Sequence, residues 1–290
     1  MNGWRSVICT EYDSFSLANN LVVMKSGDKE CTVPLDQLRD LMIVAASSTI
    51  SVPLLVALTE ANANVILCDK RYRPVAQLCG LNHNANAAGK LQMQINWSQE
   101  SKDEVWAHII REKLQMQHKL LIAENLPTGE QIITYKDALF PGDPTNHEGQ
   151  AARVYFHALF GKDFRRHADD STNSALNYGY TIITSMMTRL LVLHGYNIAL
   201  GIHHCNPANP FNLSCDLVEP FRPFVDAIAY ANTDRELDWE YKKEYVSLLQ
   251  ASCCYKGNSM KLESAMEMFL LDIMKMMDNT NNTPGEIDFG

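Results

Sequence analysis

The residues best suited to chemistry lie in one stretch, GIHHCNPANPFNLSCDLVEPFRPFVD, at positions 201–226. It places His203 and His204 before a polar loop, and then Asp216 and Glu219 in a short helical pattern among apolar residues. Acids rarely occur among so many apolar neighbours without a partner. Because positions three apart share a helix face, Asp216 and Glu219 are predicted to point toward one object, such as a divalent cation. Either histidine is a candidate for a further ligand.

A structural interpretation of the same acids competes with the metal site. Asp216 also suits the first turn of a helix capped at Ser214 or Asn212, where the helix dipole favours an acid. Glu219 also suits a solvated position before Pro220. The stretch alone therefore leaves both interpretations open.

Length and composition indicate a globular protein. The chain has 290 residues, of which 46% are hydrophobic, so it can bury the core of one or two domains. Its N-terminus shows no charged leader before an apolar segment, and no apolar run reaches the roughly 18–20 residues of a membrane span. A soluble, cytoplasmic protein without membrane contact is predicted.

The eight cysteines are scattered without a CxxC pair, which is typical of reduced thiols. A zinc site formed by Cys205, Cys215 and one of the histidines is a disfavoured alternative, because structural zinc sites usually bring paired ligands at short spacing.

The net charge of −9 argues against a protein that coats nucleic acid. Basic residues nevertheless cluster in two places, and the sign of the local charge decides which ligands a groove attracts. The first cluster, a predicted hairpin surface, comprises Lys70, Arg71 and Arg73, and the second comprises Arg153, Lys162, Arg165 and Arg166. The second cluster follows Glu148 on or just after one helix, so it is the better candidate for DNA contacts, although Arg165 and Arg166 equally suit a solvated helix end.

The pattern of elements predicts an α+β fold. Short strands with one helix indicate a β-rich domain over residues 1–80, and the Asn-, Ala- and Gly-rich residues 81–90 indicate a linker. Helical periodicity predicts an all-helical domain over 91–277, with long helices beginning near Asn146 and spanning Ser174–Leu200 and Asn258–Met277. The polar residues 278–290 are predicted to form a flexible tail.

Three segments resemble the motif blocks of a known family. NHEGQAARVYF around Glu148, GYNIALGIHH ending at His204 and LSCDLVEPFRPFVD containing Glu219 are similar to blocks of the CRISPR-associated integrase, protein one of the adaptation module. The EPFRP variant resembles the type II form. TISVPLLVALTEANANVILCD resembles the family's N-terminal domain and KLQMQ its first long helix, so the likeness covers nearly the whole chain in the family's order.

The resemblance implies a metal site formed by Glu148, His204 and Glu219, with Asp216 matching an accessory acid. Other branches of the family carry aspartate at the position of Glu219. His203 is expected to orient either His204 or the DNA. Two carboxylates with one neutral imidazole form an oxygen-rich site that suits Mg²⁺ or Mn²⁺, and the imidazole favours Mn²⁺.

The resemblance also implies an activity and partners. The family forms a homodimer through its β-rich domains, and two such dimers flank a small dimer of CRISPR-associated protein two. The complex inserts short foreign double-stranded DNA into the CRISPR repeat array in the bacterial cytoplasm, and other type II adaptation proteins are possible partners. The expected chemistry is phosphodiester transesterification by the 3′-hydroxyl of the incoming DNA. The alternatives are a non-catalytic dimeric DNA-end-binding scaffold and a purely hydrolytic metal-dependent nuclease.

Overall fold

A computed structural model of the protein describes residues 5–44, 47–69, 74–78, 80, 86–233, 235–278 and 284–290. The chain divides into two compact units, the first formed by Met1–Asn86 with Val192–Gly195 and the second by Ala87–Leu191 with Tyr196–Gly290. The boundaries predicted at residues 80 and 90 stay predictions, because residues 81–85 lie outside the described residues.

Within the described residues, the first unit contains two four-stranded sheets and one helix of its own. Its elements are β1 (Arg5–Cys9), β2 (Ser14–Ala18), β3 (Leu21–Ser26), β4 (Lys29–Pro34), β5 (Leu38–Ile43), β6 (Thr49–Ile50), α1 (Val52–Glu60), β7 (Asn64–Cys68) and β8 (Pro74–Leu78), with a 3₁₀ turn at Leu35–Gln37. In one sheet, with order β1-β5-β7-β8, the first three strands are parallel and β8 is antiparallel. In the other, with order β4-β3-β2-β6, β2 to β4 are joined by hairpins and β6 runs parallel to β2.

Turn residues and caps explain this part of the fold. Asn19 and Asn20 adopt left-handed conformations, as a two-residue hairpin turn requires. The side chain of Ser51 caps α1 by accepting from the N–H of Leu54. Apolar residues of both sheets and of α1 then share one core, which contains Phe15, Leu41 and Val65 among others.

The second unit is mainly helical. Its long central helix, α3 (Gln99–Ala123), buries one face, which comprises Val105, Trp106, Ala107, Ile109, Ile110, Lys113, Leu114, Met116, Gln117, Leu120 and Leu121. The helices are α2 (Ala87–Ile95), α3 (Gln99–Ala123), α4 (Gly129–Asp137), α5 (His147–Phe160), α6 (Ser171–Leu193), α7 (Asn212–Leu217), α8 (Arg222–Ala231), α9 (Trp239–Ser247) and α10 (Leu262–Met277), with 3₁₀ turns at Glu219–Phe221 and Leu248–Gln250. Three strands complete the unit: β9 (Ser252–Tyr255), β10 (Asn258–Lys261) and β11 (Ile287–Phe289).

The structure confirms the α+β class and corrects two details of it. The second unit is not all-helical, because β9 pairs antiparallel with both β10 and β11. Residues 284–290 are also not a loose tail: the side chain of Ile287 is buried, and Lys119 Nζ donates to its carbonyl oxygen at 2.8 Å. A three-residue strand that pairs with a distant segment leaves little local pattern to find.

Several helix ends also differ from the prediction. α2 begins at Ala87, inside the predicted linker. α6 ends at Leu193 instead of Leu200, and Gly195 adopts φ +79°, which a continuing helix cannot accommodate. The helix predicted from Asn258 begins only at Leu262. No helix among the described residues is long and apolar enough to cross a membrane.

Candidate active site

Glu148 lies in the first turn of α5, as predicted. Asn146 caps this helix in a left-handed conformation, and its Oδ1 accepts from the N–H of Gly149 at 3.1 Å. The carboxylate of Asp143 accepts from the N–H groups of His147 at 2.8 Å and of Glu148 at 2.9 Å. Three N–H groups at the helix start are therefore satisfied, and the turn that carries Glu148 is held by its own side chains.

Glu219 opens the 3₁₀ turn between α7 and α8 and is only 4% exposed. Its Oε1 accepts from Nε of Arg222 at 2.9 Å, and its Oε2 lies 2.6 Å from Nζ of Lys113. Burial opposes ionisation of the carboxyl, but the positive charges of Arg222 and Lys113 outweigh it and lower the pKa of Glu219 to about 2. Glu219 is therefore a buried carboxylate at neutral pH.

Lys113 brings the two glutamates together. Its Nζ lies 2.6 Å from Oε1 of Glu148 and 2.6 Å from Oε2 of Glu219. Burial opposes the ammonium charge, but Glu219 and Glu148 raise the pKa of Lys113 above its ordinary value. Two carboxylates 71 positions apart in the chain thus converge on one positive nitrogen. Lys113 is a site residue that the sequence motifs did not indicate, although a lysine on the buried face of a helix is itself a signal.

His204 is held by Asp216, within electrostatic reach of both glutamates. Its Nδ1 donates to Oδ1 of Asp216 at 2.5 Å, which leaves Nε2 as the acceptor of the neutral ring. The hydrogen bond to Asp216 raises the pKa of His204 above its ordinary value, against the effect of burial, and the charges of Glu219 and Glu148 add to the rise. The imidazole therefore lies within electrostatic reach of both glutamates.

Asp216 has a different role from the one predicted. Its side chain is fully buried, its Oδ2 accepts from the N–H groups of Ile202 at 2.6 Å and His203 at 3.1 Å, and its Oδ1 accepts from the N–H of His204 at 3.1 Å. Both oxygens are thus committed to the loop before α7. The expectation that Asp216 and Glu219 point toward one object is wrong, because the chain changes from α7 to a 3₁₀ turn between them.

His203 stacks on Trp106 of α3. The ring centroids are 4.1 Å apart and the planes differ by 3°, while the ring of His204 meets the same indole edge-on at 5.8 Å. His203 is exposed and Trp106 is buried. The stack, together with Asp216, fixes the loop that presents His204.

A second layer of polar residues lies behind Glu219. The guanidinium of Arg222 lies 4.5 Å from the ring centre of Tyr180, whose hydroxyl donates to Asp226. Tyr155 donates to the other oxygen of Asp226 at 2.8 Å. Burial raises the pKa of Asp226 to about 6, although both tyrosines and Arg222 act in the opposite direction. Arg222 is a further site residue that sequence reasoning missed, and the signal for it is its i+3 spacing from Glu219.

The predicted DNA-contact residues do not all lie on α5. Arg153 does, whereas Lys162, Arg165 and Arg166 occupy the segment after that helix. A cleft of about 490 Å³ is lined by Gly149, Ala152, Arg153, Phe156, His157, Phe164, Arg165 and Arg166. Lys162 is exposed and is not among these lining residues.

A smaller cavity of about 120 Å³ adjoins this cleft and reaches Glu219. It shares Phe156 and Arg166 with the cleft and is also lined by Lys113, Gln117, Tyr180, Glu219, Arg222 and Asp226. Arg166 is oriented by Asn173 at 3.0 Å and Asn177 at 2.8 Å. The other predicted basic cluster, Lys70, Arg71 and Arg73, lies outside the described residues.

The residues present fit a divalent cation in their chemistry. In the part of the chain that the structure describes, no group of three or more His, Cys, Asp or Glu side chains already has metal-binding geometry, and this includes the zinc alternative. The ammonium of Lys113 instead stands where two carboxylates meet. Oε2 of Glu219 is buried and, among the residues that the structure describes, receives no hydrogen bond of normal geometry, although Nζ of Lys113 lies 2.6 Å away. This donor set, two carboxylates near an imidazole, suits a hard cation.

Fold and site together define an α+β protein in which the buried Glu219 and the partly exposed Glu148 flank one positive charge beside an arginine-lined cleft. The model of the family described as CRISPR associated protein Cas1 matches residues 7–252. A CRISPR-associated endonuclease Cas1 from Neisseria meningitidis serogroup C is 34% identical over 226 residues, which cover 77% of this chain and 74% of the relative. The chain therefore belongs to the Cas1 family.

Solved structures show the same fold at low sequence identity. A Cas1 protein from Thermotoga maritima has a TM-score of 0.79 at 15% identity, covering 97% of this chain and 100% of that one. A casposase bound to integration product has a TM-score of 0.77 at 15% identity, covering 98% and 93% of the two chains. A partial Cas6-RT-Cas1–Cas2 complex contains a chain with a TM-score of 0.61 at 19% identity, covering 96% of each.

Proposed function

We propose that this protein is a metal-dependent DNA endonuclease and integrase that joins 3′-hydroxyl ends of short foreign DNA to a CRISPR repeat by transesterification. The observation that carries the proposal is the convergence of Glu148 and Glu219 on one positive nitrogen. His204 lies within electrostatic reach of both glutamates. Membership of the Cas1 family and the fold shared with a casposase bound to integration product support it.

Glu148, Glu219 and Nε2 of His204 are the groups that would hold Mg²⁺ or Mn²⁺. When bound, such an ion would supply Lewis-acid polarisation of the target phosphate and charge stabilisation for an in-line displacement. Neighbouring residues keep two of these ligands in the protonation states that bind a cation. Arg222 maintains the ionised form of Glu219, and Asp216 keeps the proton of His204 on Nδ1 so that Nε2 stays an acceptor.

The reaction exchanges one phosphodiester for another. The 3′-hydroxyl oxygen of the incoming DNA forms a bond to the target phosphorus and loses its proton, and the bond from phosphorus to the target strand's 3′-oxygen breaks. That leaving oxygen takes up a proton. No nucleoside triphosphate is consumed, which agrees with the lack of a GxxxxGK[ST] motif in the sequence.

The arginine-lined cleft supplies contacts to DNA in this proposal. Foreign fragments vary in sequence, so they must be held mainly through their phosphates. Arg153, Arg165 and Arg166 line the cleft next to the carboxylate cavity, and they offer guanidinium groups suited to phosphate oxygens. Lys162 is exposed three positions before Arg165, and its positive charge adds to that of the cleft arginines.

An assembly with other chains is part of the proposal. The Cas1–Cas2 complex among the structures of similar fold supports a partnership with a small dimer of CRISPR-associated protein two. We expect a homodimer of this chain on each side of that partner, with double-stranded DNA bound in the bacterial cytoplasm.

A strand-joining assay tests the proposal. Labelled DNA ends are incubated with a supercoiled plasmid bearing the repeat, the partner protein and Mn²⁺. Glu219→Gln and His204→Ala are expected to abolish the joined product, whereas Glu104→Gln, which changes an exposed acid on α3, leaves it intact. Joining retained in either site variant would remove the proposed site.

The joining assay and a measurement of the melting temperature together separate the alternatives. A purely hydrolytic nuclease gives nicked or linear plasmid without label. A non-catalytic scaffold binds DNA ends with no effect of Mn²⁺ on the melting temperature, whereas an ion held by Glu148 raises that temperature in the unchanged protein and not in Glu148→Gln.

A further inference from the structure

Lys113 is an unusual neighbour for two proposed metal ligands. Its side chain is 9% exposed, and its ammonium contacts Glu148 and Glu219 at 2.6 Å each. A buried ammonium requires compensating charge, and here both carboxylates supply it. The same oxygens are those that a divalent cation needs.

The two glutamates are each already in contact with a positive group. Glu148 and Glu219 bring two negative charges, and Lys113 and Arg222, which contact them directly, bring two positive ones. A divalent cation entering between the glutamates would repel both positive side chains, so its binding favours movement of one of them.

Lys113 is the side chain better able to move. Arg222 is held by the hydrogen bond to Glu219 at 2.9 Å and lies 4.5 Å from the ring centre of Tyr180. Lys113 carries its ammonium on a flexible four-carbon stem. Displacement therefore requires only rotation of one unbranched side chain.

A second acceptor for the ammonium is present one helical turn away. Gln117 follows Lys113 by four residues on α3, so the two share a face, and both line the 120 Å³ cavity beside Glu219. Gln117 is 2% exposed, and its Oε1 accepts no hydrogen bond from the described part of the chain. A buried acceptor without a donor is unusual in a native protein.

We propose that Lys113 is an internal counter-ion that competes with the divalent cation for Glu148 and Glu219, and that its ammonium moves to Oε1 of Gln117 when the cation binds. Without the ion, the ammonium of Lys113 lies between the two carboxylates, reduces their mutual repulsion and so stabilises the folded site. With the ion, Gln117 receives the displaced ammonium. This inference rests on the proposed function, because it assumes that the carboxylates hold a cation.

Manganese binding to the purified full chain tests this exchange. Calorimetric titration with MnCl₂ alone is compared for the unchanged protein, Lys113→Met, Gln117→Met and the control Glu104→Gln. Lys113→Met is expected to bind Mn²⁺ about tenfold more tightly, or about 1.4 kcal/mol, because the competing charge is gone. Gln117→Met is expected to bind several-fold more weakly, because the displaced ammonium has lost its acceptor.

The outcomes separate this inference from the proposed function. Glu148→Gln is titrated in the same way, and if it binds Mn²⁺ as tightly as the unchanged protein does, the metal site itself fails. If that binding depends on Glu148 but Lys113→Met binds equally or more weakly, the counter-ion role fails alone. Should Lys113→Met not fold, Gln117→Met decides, and unchanged affinity in that variant overturns the exchange.

Discussion

Asp216 holds His204 twice: its Oδ1 accepts from Nδ1 of the imidazole at 2.5 Å and from the backbone N–H of the same histidine at 3.1 Å. The other oxygen accepts from the N–H groups of Ile202 and His203. One buried carboxylate therefore sets both the path of the loop and the tautomer of the ring. It acts on the site through His204.

Replacing Asp216 by Asn is expected to damage stability and activity together. The NH₂ group of the asparagine would face N–H donors from which the carboxylate now accepts hydrogen bonds. About 2 kcal/mol of unfolding free energy is therefore expected to be lost. Strand joining is expected to fall as far as in His204→Ala, because His204 loses its orientation. Urea unfolding and the joining assay measure the two effects. Asp28→Asn, in an exposed turn, is the control, and a fully active Asp216→Asn would contradict the positioning role.

Gly201→Ala is expected to disrupt the same loop by crowding. A Cβ at this position would lie 2.2 Å from the carbonyl oxygen of His204 and 2.8 Å from Oδ2 of Asp216. The backbone has to shift, at a cost of about 3 kcal/mol. Gly27→Ala is the matched control: its added Cβ meets nothing within 4 Å, and its positive φ costs about 1 kcal/mol. Thermal unfolding should rank the two, and only Gly201→Ala should also weaken Mn²⁺ binding.

The buried carboxyl of Asp226 makes stability depend on pH. Its pKa is raised from 3.8 to about 6 in the folded protein, so its contribution is fully present below about pH 4 and is lost as pH rises toward 6. Up to about 3 kcal/mol is lost in this window. Asp226→Asn removes the titration, so its stability relative to the unchanged protein should improve between pH 4 and pH 7. Urea unfolding at several pH values measures this, and parallel curves for the two proteins would refute it.

Arg153 is expected to contribute one phosphate contact. It is exposed and lines the cleft, so Arg153→Ala should weaken binding of DNA ends of any sequence. The slope of log K against log salt should become shallower by about 1. Lys243→Ala, which removes an exposed cation paired with Glu240 on α9, should leave both quantities unchanged. Equal slopes for Arg153→Ala and the unchanged protein would exclude this contact.

Local patterns in the sequence were sufficient for the α+β class and for several long helices. Asn146 marks the start of α5, and the apolar spacing along α3 reproduces its buried face, because caps and amphipathic periods are short-range properties. Strand β11 was missed because its stability comes from pairing with β9, a partner more than thirty residues earlier in the chain.

The sequence by itself determined which residue types were available for chemistry, through three blocks whose order and composition resemble one family. Only the tertiary structure decided their partners. It turned Asp216 toward the histidine loop and Glu219 toward Lys113 and Arg222, and it placed an ammonium between two distant glutamates. The reason is physical: spacing along a chain sets which face of a helix a side chain occupies, whereas an ion pair depends on how separate helices pack in three dimensions.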